Sequence, residues 1–110
     1  MSETSAVTNP LIETLNGIPG VKCERFNAGK PLYRFKGAER GTPDIIGCAL
    51  GRCFLIECKK RGGKTDKERA ITQRRVQNEW AMAGAAVFAD VQSVADGVSL
   101  IRALMRKRAT

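Results

Sequence analysis

Apolar positions recur along this chain at two spacings, every three to four residues in some stretches and every second residue in others. Val7, Leu11 and Leu15 lie four apart, with Ile12 and Ile18 widening the stripe, so the first segment is expected to be an amphipathic helix. Pro10 in its first turn sets the start near Asn9 as cap, and Gly17, Pro19 and Gly20 end it. Residues 21–26 read as a short strand, 27–31 as a turn, 32–35 as a further extended piece and 36–42 as a polar loop. Residues 44–50 and 53–59 then read as two strands joined by a tight turn at Gly51-Arg52. Alternation sends Phe54, Ile56 and Cys58 to one face as core, and Glu57 and Lys59 to the other.

The helical spacing returns after a charged loop. Gln73, Val76, Trp80 and Ala83 share the inner face of a helix over residues 67–83, which Gly84 stops. Residues 85–91 are apolar enough for a strand buried on both faces. Ser93 with Asp96 forms a capping box for a last helix with the stripe Val94, Val98, Ile101 and Met105. Gly97 should weaken that helix, and Leu100, Leu104 and Met105 could offer an apolar contact surface for a second copy. A strand–helix–strand step beside a hairpin predicts a mixed β-sheet flanked by helices on both faces, an α/β fold.

The 110 residues suffice for one domain, residues 1–110, with a modest core. No apolar run approaches the ~20 residues of a membrane span, and the first residues lack the pattern of a signal peptide. The expected location is therefore cytoplasmic. Nineteen Lys and Arg against eleven Asp and Glu give a net charge of +8, which points to a polyanionic partner, nucleic acid being the commonest. Cys48, Cys53 and Cys58 lie five apart within strand-like runs, unlike a zinc knuckle, and are expected, like Cys23, to be buried free thiols. The chain has no histidine. That excludes Ser-His-Asp and Cys-His triads and any His metal site, leaving carboxylates, lysine and water, a set suited to Mg²⁺ chemistry on phosphates.

Those groups converge on one hairpin. Across the predicted turn Asp44 falls opposite Glu57 or Lys59, and directly opposed residues share a face with Cβ atoms roughly 5 Å apart. Asp44 and Glu57 are candidate ligands for Mg²⁺ or Mn²⁺, with the backbone carbonyl of Cys58 between Glu57 and Lys59 as a third. Lys59 would orient or deprotonate the attacking water and offset charge on the phosphate. The plainer alternative is an acid facing a lysine across an exposed hairpin, worth at most about 1 kcal/mol. Arg34, Lys36 and Arg40 precede the acidic pair, and Lys60, Arg61, Lys64 and Lys67 follow it, as candidate contacts to the DNA backbone. At its helical phase Trp80 reads as core. Tyr33 and Phe35 read as sheet packing more than as base stacking.

Several segments together carry a resemblance. Arg25-Phe26-Asn27-Ala28-Gly29 looks like an R-x-N-x-G turn, and Gly41-Thr42-Pro43-Asp44-Ile45-Ile46-Gly47 like G-x-P-D followed by two apolar residues and glycine. Ile56-Glu57-Cys58-Lys59 looks like an apolar residue followed by E-x-K, and Gln73 lies eleven residues before Gly84. In these features the chain resembles the VRR-NUC family of the PD-(D/E)XK nuclease superfamily, over roughly residues 22 to 102. One departure is visible. The family's V-x-R-S strand end is matched only by Val-Phe-Ala-Asp-Val-Gln-Ser, residues 87–93, without the arginine.

The resemblance implies a restriction-endonuclease-like core and a Mg²⁺- or Mn²⁺-dependent endonuclease acting on branched DNA such as a Holliday junction or flap. It also implies a frequent homodimer, and stand-alone relatives of this length are typical of phages and prophages. It adds Gln73 to the catalytic set, with Gln77 as runner-up, and leaves open whether Glu3 or Glu13 contributes a further acid. Two other readings stay open: a non-catalytic DNA-binding protein on a nuclease-like fold, and a restriction-type enzyme that cuts linear duplex at a fixed sequence.

Overall fold

The computed structural model describes residues 4–26, 41–59 and 66–109. The expected extended piece at 32–35, including Tyr33 and Phe35, lies outside the described residues. A π-helical turn, Thr4–Thr8, runs directly into α1, Asn9–Asn16. Asn9 is thus the first α-helical residue and not the cap; Thr8 holds that position with helical dihedrals and no side-chain cap bond. Four strands follow the order of the chain across one sheet: β1, Val21–Arg25; β2, Ile45–Ala49; β3, Arg52–Cys58; β4, Ala86–Val91. The first three run antiparallel and β4 lies parallel to β3, with α2, Lys67–Met82, as the crossover. The expected mixed sheet is therefore present. Among the described residues β4 is an edge strand paired only with β3 and largely half-exposed, so the expectation of burial on both faces is not met.

One face of the sheet carries the main core. Leu11 and Leu15 of α1, and Ile101 and Leu104 of α3 (Val94–Ala109), pack on Ile45, Ala49, Phe54, Ile56 and Cys58. Leu104 is thus buried inside, with Leu100 and Met105 packed against the same cluster, which removes the apolar contact surface expected on this helix. Ser93 Oγ accepts from the Asp96 amide as expected of its capping box. Gly97 has a reason to be there: a Cβ would lie 2.6 Å from a methyl of buried Leu11. Gly47 is needed more strictly. A Cβ there would stand 2.5 Å from both the Lys22 carbonyl and the Cys23 Cβ, and 2.7 Å from the Phe54 ring.

Leu55 belongs to the opposite face, which α2 overlies through Val76 and Trp80. Val76 is the one buried residue of α2 among those described, and the Trp80 ring meets Phe26 edge-on at 5.8 Å. The hairpin turn is one residue earlier than expected. Ala49 pairs with Arg52, so Leu50 and Gly51 are the turn residues, both with positive φ (49° and 86°), as a type I′ turn requires. The leucine departs from the usual Asn or Asp there, but its side chain covers Gly20, whose carbonyl accepts the Leu50 amide at 3.0 Å.

Candidate active site

Register decides what the hairpin gathers. Ile45 pairs with Ile56, so the next pair outward sets Asp44 opposite Glu57. The amides of Leu50 and Phe26 donate to Gly20 and Asp44, which fixes the β1–β2 bonding phase and turns the polar groups of Ile45 toward β3. Asp44 and Glu57 therefore occupy a narrow, non-hydrogen-bonded position, where opposed side chains come closest. The Cys58 amide donates to Asp44 Oδ2 at 2.9 Å and anchors the carboxylate at the strand end.

The Glu57 carboxyl group faces that of Asp44, and its Oε2 is buried with no hydrogen-bond partner among the described residues. Burial first, and the Asp44 charge second, push the Glu57 pKa from 4.5 up to about 8. Two carboxyls this close cannot both ionise without a compensating cation, so one keeps a proton. A divalent cation fits this donor set, because it would supply the missing partner and displace that proton. Among the described residues no three His, Cys, Asp or Glu side chains cluster as ligands. Asp44, Glu57 and the Cys58 carbonyl would leave the other coordination positions to water, as Mg²⁺ commonly has them.

Lys59 lies two residues along on the same face, its side chain 29% exposed and its ammonium 3.9 Å from Asp90. Asp90 reaches it through an irregularity in β4. Ile56 pairs with Phe88 and Cys58 with Val91, so β4 sets two residues, Ala89 and Asp90, against one on β3. This is a β-bulge, and Asp90 takes it up with φ of 57°. From α2, Arg69 lies near enough to oppose the rise in the Glu57 pKa. Asp66 accepts the Arg69 amide at 2.8 Å and caps the helix, so Arg69 stands in its first turn and not in the preceding loop. Gly41, at φ 89°, backs against Thr72 of α2, where a Cβ would lie 3.0 Å from its methyl.

This is a four-stranded mixed sheet with two carboxyls and a lysine at one end and a crossover helix over that face. No protein-family model and no curated protein matches the sequence. A solved structure described as a VRR_NUC domain matches 93% of this chain and 97% of its own, with a TM-score of 0.61 at 20% identity. The fold is that of a VRR_NUC domain. It is the fold the motifs pointed to.

Of the two partners expected for Asp44, the register selects Glu57; Lys59 follows at the same strand end with its ammonium at Asp90, and the Cys58 thiol is buried on the opposite face, leaving only its main chain on this side. Gln73 is half-buried and in phase with Arg69, Val76 and Trp80 on α2, but among the described residues no hydrogen bond joins it to the carboxylates. Arg34, Lys36, Arg40, Lys60, Arg61 and Lys64 lie outside the described residues, as does Glu3. Glu13 is exposed on α1, whose buried residues pack on the face away from the site. Arg69 and Asp90 were not anticipated. Asp66 three residues before Arg69 was a legible cap signal, and Asp90 interrupts an apolar run where a bulge could have been suspected.

Proposed function

We propose that this chain is a metal-dependent endonuclease that hydrolyses phosphodiester bonds in DNA, with branched structures of the four-way-junction or flap type as substrates. The observation that carries this reading is the buried Glu57 carboxylate oxygen, without a hydrogen-bond partner among the described residues and set against Asp44. A Mg²⁺ or Mn²⁺ ion bound there supplies charge stabilisation on the phosphate and a water acidified toward neutral pH.

Asp44 and Glu57 would hold that ion, and the Cys58 amide anchors Asp44 at the strand end. Lys59, half-exposed and next to Asp90, is the group to orient the attacking water and offset phosphate charge. Arg69, in the first turn of α2, adds a second positive group on the approach. Gln73, one turn further along, is suited to fixing a water or a phosphate oxygen. Arg34, Lys36, Arg40, Lys60, Arg61 and Lys64 flank the site in the chain, and their role is to hold the DNA backbone without reading sequence. Paired incision across a four-way junction needs two such sites related by a two-fold axis, so the working form is a homodimer. Light scattering that returned only the 12.0 kDa chain mass at micromolar concentration would exclude that state.

The test is a gel assay with end-labelled four-way junction, flap and linear duplex DNA, in Mg²⁺, Mn²⁺ or EDTA, with Lys59→Ala beside the wild type. Metal-dependent cutting of a branched substrate, absent in the variant, is the expected result. Tight binding without cutting of any substrate would reduce the protein to a DNA-binding module on this fold.

A further inference from the structure

The hairpin that carries the acidic pair carries a second pair of reactive groups nearer its turn. Cys48 and Cys53 are directly opposed in the β2–β3 register. Counting from the bonding phase fixed at Gly20 and Asp44, this is a narrow, non-hydrogen-bonded position like that of Asp44 and Glu57. At such a position the Cα atoms lie about 4.5 Å apart, at the short end of the range that a disulfide spans without backbone movement. The two side chains project from the same face of the hairpin, near enough for Cys48 to help push the Cys53 thiol up.

Access differs among the cysteines in a way the sequence did not suggest. Cys23 and Cys58 are buried in the core, as expected of all of them, but Cys48 is exposed and Cys53 only half-buried. They lie on the face of the sheet opposite the main core, beyond the C-terminal end of α2. An apolar shelf of Ile46, Gly47 and the stem of Lys22 surrounds them. Neither thiol has a role in the site proposed above.

We propose that Cys48 and Cys53 form a reversible dithiol–disulfide site, oxidised by small-molecule disulfides such as glutathione disulfide. Cys48, as the exposed member, attacks one sulfur of the oxidant in its thiolate form and expels one glutathione thiolate, leaving a mixed disulfide. Cys53 then loses its proton to solvent and attacks the Cys48 sulfur, expelling the second glutathione. Two protein thiols are oxidised and one small disulfide is reduced to two thiols, so electrons and atoms balance. The pairing favours this order. Burial and the neighbouring Cys48 push the Cys53 thiol up, so it serves better as the group that resolves the mixed disulfide than as the first to react. The cross-link would tie β2 to β3 between the turn and the acidic pair, and so fix the register that sets Asp44 against Glu57.

The experiment is intact-mass spectrometry of the full-length, natively folded protein incubated with glutathione disulfide, followed by non-reducing peptide mapping. The expected result is a loss of about 2 Da with no retained glutathione, from conversion of two thiols to one disulfide. The map should join Cys48 to Cys53 and leave Cys23 and Cys58 as free thiols, and dithiothreitol should restore the starting mass. In Cys53→Ser the mixed disulfide on Cys48 has no resolving thiol and should persist as a glutathione adduct. Stable adducts on the wild type without mass loss, a covalent dimer, or a linkage that includes Cys23 or Cys58 would each overturn the assignment. None of these readouts depends on nuclease activity, so the outcome is independent of the proposed function.

Discussion

A carboxyl group buried against another carboxylate keeps its proton into the neutral range, and at Glu57 this has a measurable sign. Its pKa is about 4.5 when exposed and about 8 in the folded, metal-free protein, with burial the larger cause and Asp44 the next. Between those values the folded state binds a proton that the unfolded chain has released. Stability of the metal-free protein should therefore be greatest below the lower value and fall as pH rises toward the upper. Thermal melts in EDTA from about pH 5 to about pH 8 should show a declining Tm, and Glu57→Gln should flatten the decline. A melt that stays level in the wild type would contradict the assigned burial. Mg²⁺ added at the upper end should raise the wild-type Tm and leave the Gln variant unmoved. Lys59→Ala, by contrast, should lower cleavage by about 10²–10⁴-fold while leaving DNA binding within a few-fold. Equal losses of binding and cutting would recast Lys59 as a phosphate-binding group. Asp44, Glu57 and Lys59 stood out as candidates because a chain without histidine offers few other groups for such chemistry. Asp90 was not, because its approach to Lys59 depends on a bulge that alternation alone does not reveal.

Strand and helix identities followed from spacing, but two features of the elements did not. Alternation fixes which residues share a face and leaves the loop free to slide, so on spacing alone Gly51-Arg52 is as good a turn as Leu50-Gly51. The latter prevails because Gly51 then takes the second positive φ and Leu50 covers Gly20. The apolar run of β4 suggested a central strand, yet β4 closes the sheet at its edge and α2 shields one side of it. The glycines show how tightly the elements meet. At Gly47 a methyl group would strike the backbone of β1 as well as the Phe54 ring, neither of which can give way cheaply. Gly47→Ala should therefore destabilise the fold by about 1–3 kcal/mol through overpacking, read as a lower urea midpoint at unchanged m-value. An unchanged midpoint would mean that β1 can move away from the hairpin. Gly97 is a milder case. Alanine there would gain about 1 kcal/mol of helix propensity but press on a buried leucine, so the two effects oppose one another.

At the scale of the whole molecule, charge and site have to be read together. The chain carries +8, and seven basic residues fall in residues 27–40 and 60–65, on either side in sequence of the hairpin that presents the acidic pair. Composition made a polyanion partner legible. It could not say which cations reach phosphate, because long lysine and arginine side chains extend across a surface in ways that spacing does not constrain. If Lys60, Arg61 and Lys64 hold the DNA backbone, each releases condensed counterions when it binds. Replacing all three with Gln should then reduce the slope of log K against log salt by about 0.9 for each duplex phosphate no longer neutralised. Affinity should fall most at low salt, and the difference should shrink as salt rises. Cleavage at saturating DNA should change little, since Asp44, Glu57 and Lys59 are untouched. Fluorescence anisotropy over a salt series, beside single-turnover cleavage of the same branched substrate, separates the two effects. A parallel salt line for variant and wild type would mean that these cations do not touch phosphate, and the +8 would then serve long-range attraction only. A shallower slope with intact cleavage would instead divide the chain's work between basic segments that hold the backbone and a hairpin that cuts it.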